Sequence, residues 1–304
     1  MDVGVMHACG HDGHTAILLG ALRVLLKLPR PSPVTFFFQP AEENEGGGKE
    51  MCAEGALLGD GRGGLGTPVG QVFGLHGWPQ LRLGQIATKV GPIMAAVDDF
   101  VVDVVGTQAH GAYPHLGRDP VLAAAHVVTA LQSIASRNVG PLDSVVCTVG
   151  RIEGGTANNI IPERVRLVGT VRTLRDATQT LARERFFETV EHAARAQGCR
   201  AEVNWHEGYP VVHNDAGATE RVLRTARTAL GPERAEVLEH PTMGGEDFAF
   251  YGRHAPACFF FLGLRPHDVG PDQPYPSLHQ PEFDFNDAAI PTGVEMFVRL
   301  AVEG

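Results

Sequence analysis

Residues Cys9 to Leu28 read CGHDGHTAILLGALRVLLKL, a glycine-hinged turn rich in metal-seeking side chains that runs straight into an apolar stretch. In that stretch Ile17, Leu18, Leu22, Leu25 and Leu26 recur at helical spacing and Pro29 closes the run, so a packed helix is expected over Thr15 to Leu28. In the turn, Cys9, His11, Asp12 and His14 place a thiol, two imidazoles and a carboxylate around Gly10 and Gly13. Thiolate and imidazole suit zinc-like ions, and glycine lets the backbone fold back so that side chains converge on one point. Cys9 and His11 are the leading pair of ligands. The competing reading makes Cys9 a buried thiol, Asp12 a helix cap and the two histidines surface residues.

Outward from this stretch, strands and helices alternate. Val34 to Phe38 is β-branched and aromatic between Pro33 and Pro40, the pattern of a fully buried strand in a parallel sheet, and Glu42 and Glu43 stand just beyond it. A second apolar run, Val72 to Leu75, ends at His76 and is broken by Gly77, Trp78 and Pro79. Polar groups thus follow strand ends, where ligands bind in open α/β sheets. Two adjacent carboxylates usually mark a solvated loop. Neighbouring side chains point in different directions, however, so one Glu can ligate a metal while the other serves as general base. Alone, His76 reads as a strand-end residue and His279 as a loop residue. With Cys9, His11 and Glu43 they make five donors, more than one four-coordinate ion with an open catalytic position uses, so two metal ions are expected.

The 304 residues are 43% hydrophobic and 20% charged, enough for a sizeable core and about two domains. A net charge of -10 with interspersed signs argues against nucleic acid or an anionic membrane as the main partner. Five cysteines without framework spacing fit a reducing cytoplasm, and no leader-like or membrane-length apolar run is visible. From about Ala95 the pattern changes to alternating strands, Phe100 to Val105, Ser144 to Ile152 and Val165 to Thr173. Two helices interleave them: Val121 to Ile134 behind an Asp119-Pro120 cap, and Asp176 to about Gln197. With a last strand near Ala201 to Trp205, this is the split βαβ order of an inserted domain. The α/β pattern then resumes with a helix from Ala216 to Leu230, a strand from Cys258 to Leu262 and a helix from Asp287 to Val302.

The run Met6 to Thr15, with Gln39-Pro40-Ala41-Glu42-Glu43 and Gly74-Leu75-His76, resembles the amidohydrolase branch of the aminoacylase and carboxypeptidase superfamily, which includes hippurate hydrolase and auxin-amino acid conjugate hydrolases. Ala109-His110 with Pro114-His115, Asn159 to Pro162, Gly169 to Arg172 and Met243 to Phe248 extend the match over essentially the whole chain. The resemblance implies an α/β, zinc-peptidase-like catalytic domain with a central, mostly parallel sheet, here residues 1–94 and 207–304. An inserted βαββαβ, ferredoxin-like lid, residues 95–206, would close over substrate and form a homodimer. It implies two divalent ions, zinc, manganese, nickel or cobalt, held by Cys9, His11, Glu43, His76 and His279, with Glu42 as general base. His110 would polarise the amide oxygen, often in the other subunit, and Asn159 and Arg172 would engage the substrate carboxylate. In that family a substantial segment with an Asp-x-Asp turn precedes the motif, so this chain, starting almost on the motif, is expected to lack it.

The implied reaction is hydrolysis of the amide bond in an N-acyl amino acid or small amide conjugate, giving a carboxylic acid and an amino acid. Metal binding lowers the pKa of water from about 15.7 to near 7, which makes hydroxide available in neutral solution. Glu42 would take the proton and return it to the departing amine. Two other readings stand beside this one. In one, Cys9 acts as a nucleophile paired with His11 or His14; in the other, the chain binds metal or a dimer partner through its lid without turnover. Met243, Phe248, Tyr251 and Tyr113 are candidates for an apolar acyl pocket and equally for plain core.

Overall fold

The computed structural model describes residues 5–29, 31–43 and 46–303. The chain opens with helix α1 (His11–Leu25) and the short helix α2 (Gly47–Ala53), followed by strands β1 (Val72–Arg82), β2 (Ile86–Thr88) and β3 (Gly91–Met94). Helix α1 begins earlier than its apolar spacing marks, because Gly10, at φ 79°, turns the chain directly into it as N-cap. Asp12 therefore lies inside the first turn and does not cap. Next come β4 (Ala96–Val105), β5 (Ala109–His110), α3 (Pro120–Ser133), β6 (Val145–Gly154), β7 (Ile160–Ile161), β8 (Arg164–Thr173), α4 (Asp176–Ala196) and β9 (Arg200–Glu207). The chain closes with β10 (Val212–Asn214), α5 (Ala216–Leu230), β11 (Ala235–Val237), α6 (Ala249–Gly252), β12 (Ala257–Arg265) and α7 (Ile290–Val302).

Two compact units result. The larger holds the described residues up to Ile93, Val212–Pro241 and those from Asp247 onward; the smaller holds Met94–Val211 and Thr242–Glu246. The larger unit carries a sheet in the order β1-β12-β2-β11, parallel at β1/β12 and β2/β11 and antiparallel at β12/β2. Every residue of β12 from Ala257 to Leu264 is buried, as a strand covered on both faces requires. Cys258, Phe260, Leu262 and Leu264 pack with Ile17, Ala218, Val222, Met296 and Leu300 into one core. Asn214 pins the strands from within: its amide donates to Thr88 Oγ1, the Lys89 carbonyl and the Phe259 carbonyl at 2.9 to 3.0 Å, and its oxygen accepts from Phe259 N–H at 2.8 Å.

Two local expectations need correction. Val34 to Phe38 forms no strand: the segment joins no sheet ladder, is only partly buried, and leaves Phe38 47% exposed. Apolar sequence alone does not make a strand without a backbone edge to pair with. Strand β1, by contrast, does not stop at His76. It runs on to Arg82, with His76 opposite Phe261, Gly77 opposite Leu262 and Trp78 opposite Gly263, and Pro79 falls at the register shift where no ladder donor is needed.

The smaller unit is an antiparallel sheet in the order β6-β8-β4-β9 with α3 and α4 packed on it. Its core joins Phe100, Val102 and Val104 to Leu131, Leu167, Phe186 and Val190. Asp119 caps α3 by accepting from Val121 N–H at 2.8 Å and Leu122 N–H at 3.2 Å, while Pro120 occupies the first turn, where its missing N–H costs nothing.

Candidate metal centre

Four stretches of the larger unit deliver donors to one place. Cys9 sits in the turn before α1 and is buried; His11 lies in the first turn of α1; His76 is buried within β1; Glu42 and Glu43 follow Ala41. His279 comes from the long stretch between β12 and α7, where its N–H donates to the Ala8 carbonyl at 2.8 Å. Ala41 and His279 both have positive φ, 58° and 62°. A left-handed conformation costs an L-residue about 1 to 2 kcal/mol, so the surrounding structure holds both turns in place.

Ligand atoms of Cys9, His11 and His76 lie within 4.8 Å of one another, and so do those of Cys9, Glu43 and His279. Cys9 is common to both triads. Its Sγ is 3.3 Å from His76 Nε2, and His11 Nδ1 is 3.7 Å from Glu43 Oε1. Glu42 stands on the other side of His11, with Oε2 3.8 Å from Nε2. The His76 Nδ1–H donates to the Gly77 carbonyl at 2.8 Å, which turns the lone pair of Nε2 toward Cys9. Gly77 N–H in turn donates to His14 Nε2 at 2.8 Å, so His14 fastens α1 to β1 beside the ligands. The reading of His14 as a surface histidine is thereby overturned.

The electrostatics suit cation binding. Burial, followed by the neighbouring histidines His11 and His279, pushes His76 down to about 4, against the hydrogen bond that His76 donates to the Gly77 carbonyl. Burial likewise holds His11 below its ordinary value and His14 well below it. All three imidazoles are neutral at pH 7, the form in which His11 and His76 can ligate and His14 can accept from Gly77 N–H. Glu42 is pushed up to about 7, by burial first and then by the charges of Asp247 and Glu43. One cysteine sulfur, three imidazoles and one carboxylate, arranged as two triads sharing the sulfur, match the preferences of borderline divalent metals.

Residue-type reasoning missed the support behind Glu42. Asp247 is fully buried, and its carboxylate accepts from Gln39 Nε2 at 2.8 and 2.7 Å and from Gly48 N–H at 2.8 Å. Tyr251 O–H donates to Gln39 Oε1 at 2.9 Å. The signal in the sequence is Gln39, two residues before Ala41, together with Asp247 in the Gly244 to Phe248 run. Of the candidates for an acyl pocket, Phe248 and Tyr251 are buried within the larger unit, with Tyr251 stacked on Phe37, and Tyr113 in the smaller unit is 56% exposed.

Within the smaller unit, His110 and Asn159 are brought together. Strand β5 pairs with β7, and Gly111 N–H donates to the Asn159 carbonyl at 2.7 Å. His110 Nδ1 accepts from Ala112 N–H at 3.1 Å, which leaves Nε2–H as its outward donor. Arg172 lies on β8 and donates to the Met243 carbonyl at 3.0 Å, so part of its fork holds the Thr242–Glu246 stretch.

The family model for peptidase family M20/M25/M40 matches residues 1–303. This chain belongs to the M20/M25/M40 peptidase family. An N-acetyl-L-cysteine deacetylase of Bacillus subtilis (strain 168) is 40% identical over 292 residues, covering 94% of this chain, which spans 65% of that enzyme's length. An N-acetyldiaminopimelate deacetylase of Geobacillus sp. (strain WCH70) is 38% identical over 295 residues, covering 97% of this chain and 74% of its own length. Among solved structures, the Bacillus subtilis YXEP protein, described as a dinuclear metal binding peptidase from the M20 family, superposes with a TM-score of 0.78 at 30% identity, over 99% of this chain and 73% of its own. The M20 fold, mixed α/β with a mostly parallel central sheet, is thus shared.

Proposed function

We propose that this M20-family chain hydrolyses the amide bond of N-acyl amino acids using two divalent ions held by Cys9, His11, Glu43, His76 and His279. The convergence of these five donors from distant stretches of one unit carries the reading. Its relatives are deacetylases of N-acetyl amino acids and a dinuclear metal binding peptidase, in agreement with it. When bound, the ions supply Lewis acidity toward water and toward the amide carbonyl. Zinc, manganese, nickel and cobalt all suit the mixed donor set.

The chain's own residues divide the remaining work. Glu42, with a proton affinity matched to neutral pH, accepts a proton from the attacking water and returns it to the departing amine nitrogen. Asp247, Gln39 and Tyr251 fix the stretch that carries it. His110 offers Nε2–H to the amide oxygen as negative charge develops there, and Asn159, its neighbour, and Arg172 take the substrate carboxylate. The smaller unit serves as lid and homodimer face, and the enzyme works in the cytoplasm. No helix among the described residues is long and apolar enough to cross a membrane.

Metal analysis combined with a hydrolysis assay on hippurate, N-acetyl amino acids and N-acetyldiaminopimelate tests the reading. Two ions per chain and metal-dependent release of an amino acid are expected. Turnover that resists chelation but falls on thiol alkylation would replace it with the cysteine-nucleophile reading, and bound metal without turnover would leave a binding protein.

A further inference from the structure

Between β12 and the 3-10 turn at Asp287 the backbone runs from Pro266 to Asn286 with no helix or strand, yet it must deliver His279 to the other donors. A segment of that length without regular hydrogen bonding needs fixed points. Arg265, at the end of β12, supplies them. Its Nη1 donates to the Gly270 carbonyl at 2.7 Å and the Gln273 carbonyl at 3.1 Å, with the Pro271 carbonyl at 3.4 Å. Its Nε donates to the Pro79 carbonyl on β1 at 3.3 Å, and its guanidinium carbon lies 5.5 Å from the centre of the Tyr275 ring. One planar cation therefore gathers the first half of the segment against the strand that also carries His76. Only a guanidinium has enough donors in one plane, with a face left to stack on the ring.

The second half is tied nearby. Gln80, next to Pro79, donates to Ser277 Oγ at 2.9 Å; Ser277 N–H donates to Gln280 Oε1 at 2.8 Å; His279 N–H reaches the Ala8 carbonyl at 2.8 Å. His279 is exposed and adopts a positive φ, and these ties hold the backbone that carries its ring.

We infer that Arg265 is a positioning residue for the His279 side of the metal centre: by clamping Gly270 to Tyr275 against Pro79 it sets the affinity of one of the two ions. The inference rests on the dinuclear reading above. Partners that orient ligands without touching the metal are typically worth about 10 to 100-fold in affinity.

The test is zinc titration of the metal-stripped full chain against a chromophoric chelator, for the wild type, Arg265→Met, Arg265→Lys and His279→Ala. Arg265→Met is expected to weaken one zinc ion about 10 to 100-fold and leave the other unchanged, with the same ion lost in His279→Ala. Arg265→Lys keeps the charge but not the fork and should fall between. Should Arg265→Met fail to fold, Tyr275→Leu, which removes the ring alone, is expected to weaken the same ion by a smaller factor. Two zinc ions bound with wild-type affinity in Arg265→Met, or both weakened equally, would overturn the role of Arg265 alone. Fewer than two zinc ions bound by the wild type would overturn the dinuclear reading itself.

Discussion

Glu42 and Glu43 are adjacent and chemically identical, and their surroundings separate them. The Glu42 side chain is 19% exposed, with Asp247 among the groups that raise its proton affinity, whereas Glu43 is 45% exposed and shares a triad with Cys9 and His279. Replacing Glu42 by Gln keeps the shape and removes the base, so turnover should fall by about 100-fold or more with metal content unchanged. Metal loss in Glu42→Gln, measured by elemental analysis, would show that the two roles are reversed. Asp98 in the smaller unit allows a separate test. Burial raises its pKa, against hydrogen bonds from Gln179 and Gly208 and the charge of Arg183. A carboxyl whose folded pKa is raised contributes stability that is full below its unfolded pKa, near 3.9, and is lost as pH rises through the folded value. Asp98→Asn should therefore be more stable than wild type at pH 7 and lose that advantage toward pH 4, as followed by urea unfolding at several pH values.

Elements whose side-chain spacing and cap residues agree were legible in the chain. Helix α1 showed through its apolar spacing, α3 through Asp119-Pro120, and the βαββαβ order through strict alternation in β4 and β8. Val34 to Phe38 was misread because composition reports burial and β-propensity while strand pairing depends on a neighbouring edge. Close packing at the site end of α1 was likewise invisible. A Cβ on Gly13 would lie 2.5 to 2.6 Å from three ring atoms of buried Phe285. Gly to Ala in a helix normally gains about 1 kcal/mol, but overpacking costs about 1 to 3 kcal/mol, so Gly13→Ala should lower the unfolding free energy. Higher stability in chemical denaturation would mean that Phe285 moves aside freely. Asn214→Ala removes the partner of Phe259 N–H and of the part-buried Lys89 carbonyl, while the Phe259 carbonyl keeps Thr88 Oγ1, and a loss of about 1 to 3 kcal/mol is expected in the same measurement.

At the scale of the molecule, the donor types were readable because metal chemistry restricts them to a few residues, and here they occur at the ends and turns of elements. Gln39, Asp247, Tyr251 and Arg265 were not readable, because they act through hydrogen bonds that exist only once the larger unit has folded. The proposed ligands Cys9, His11, Glu43, His76 and His279 bring the start of the chain and its last third together. An ion that binds only this folded arrangement stabilises it by mass action, about 2.7 kcal/mol when free metal is at 100 times its Kd. Chelation should therefore lower the melting temperature and abolish hydrolysis together, and restored metal should recover both. The most direct measurement is anomalous diffraction from crystals of the metal-loaded chain. Two peaks are expected, one among Cys9, His11 and His76 and one among Cys9, Glu43 and His279; a metal-saturated crystal with neither peak, or with metal bound only elsewhere, would rule out the dinuclear site.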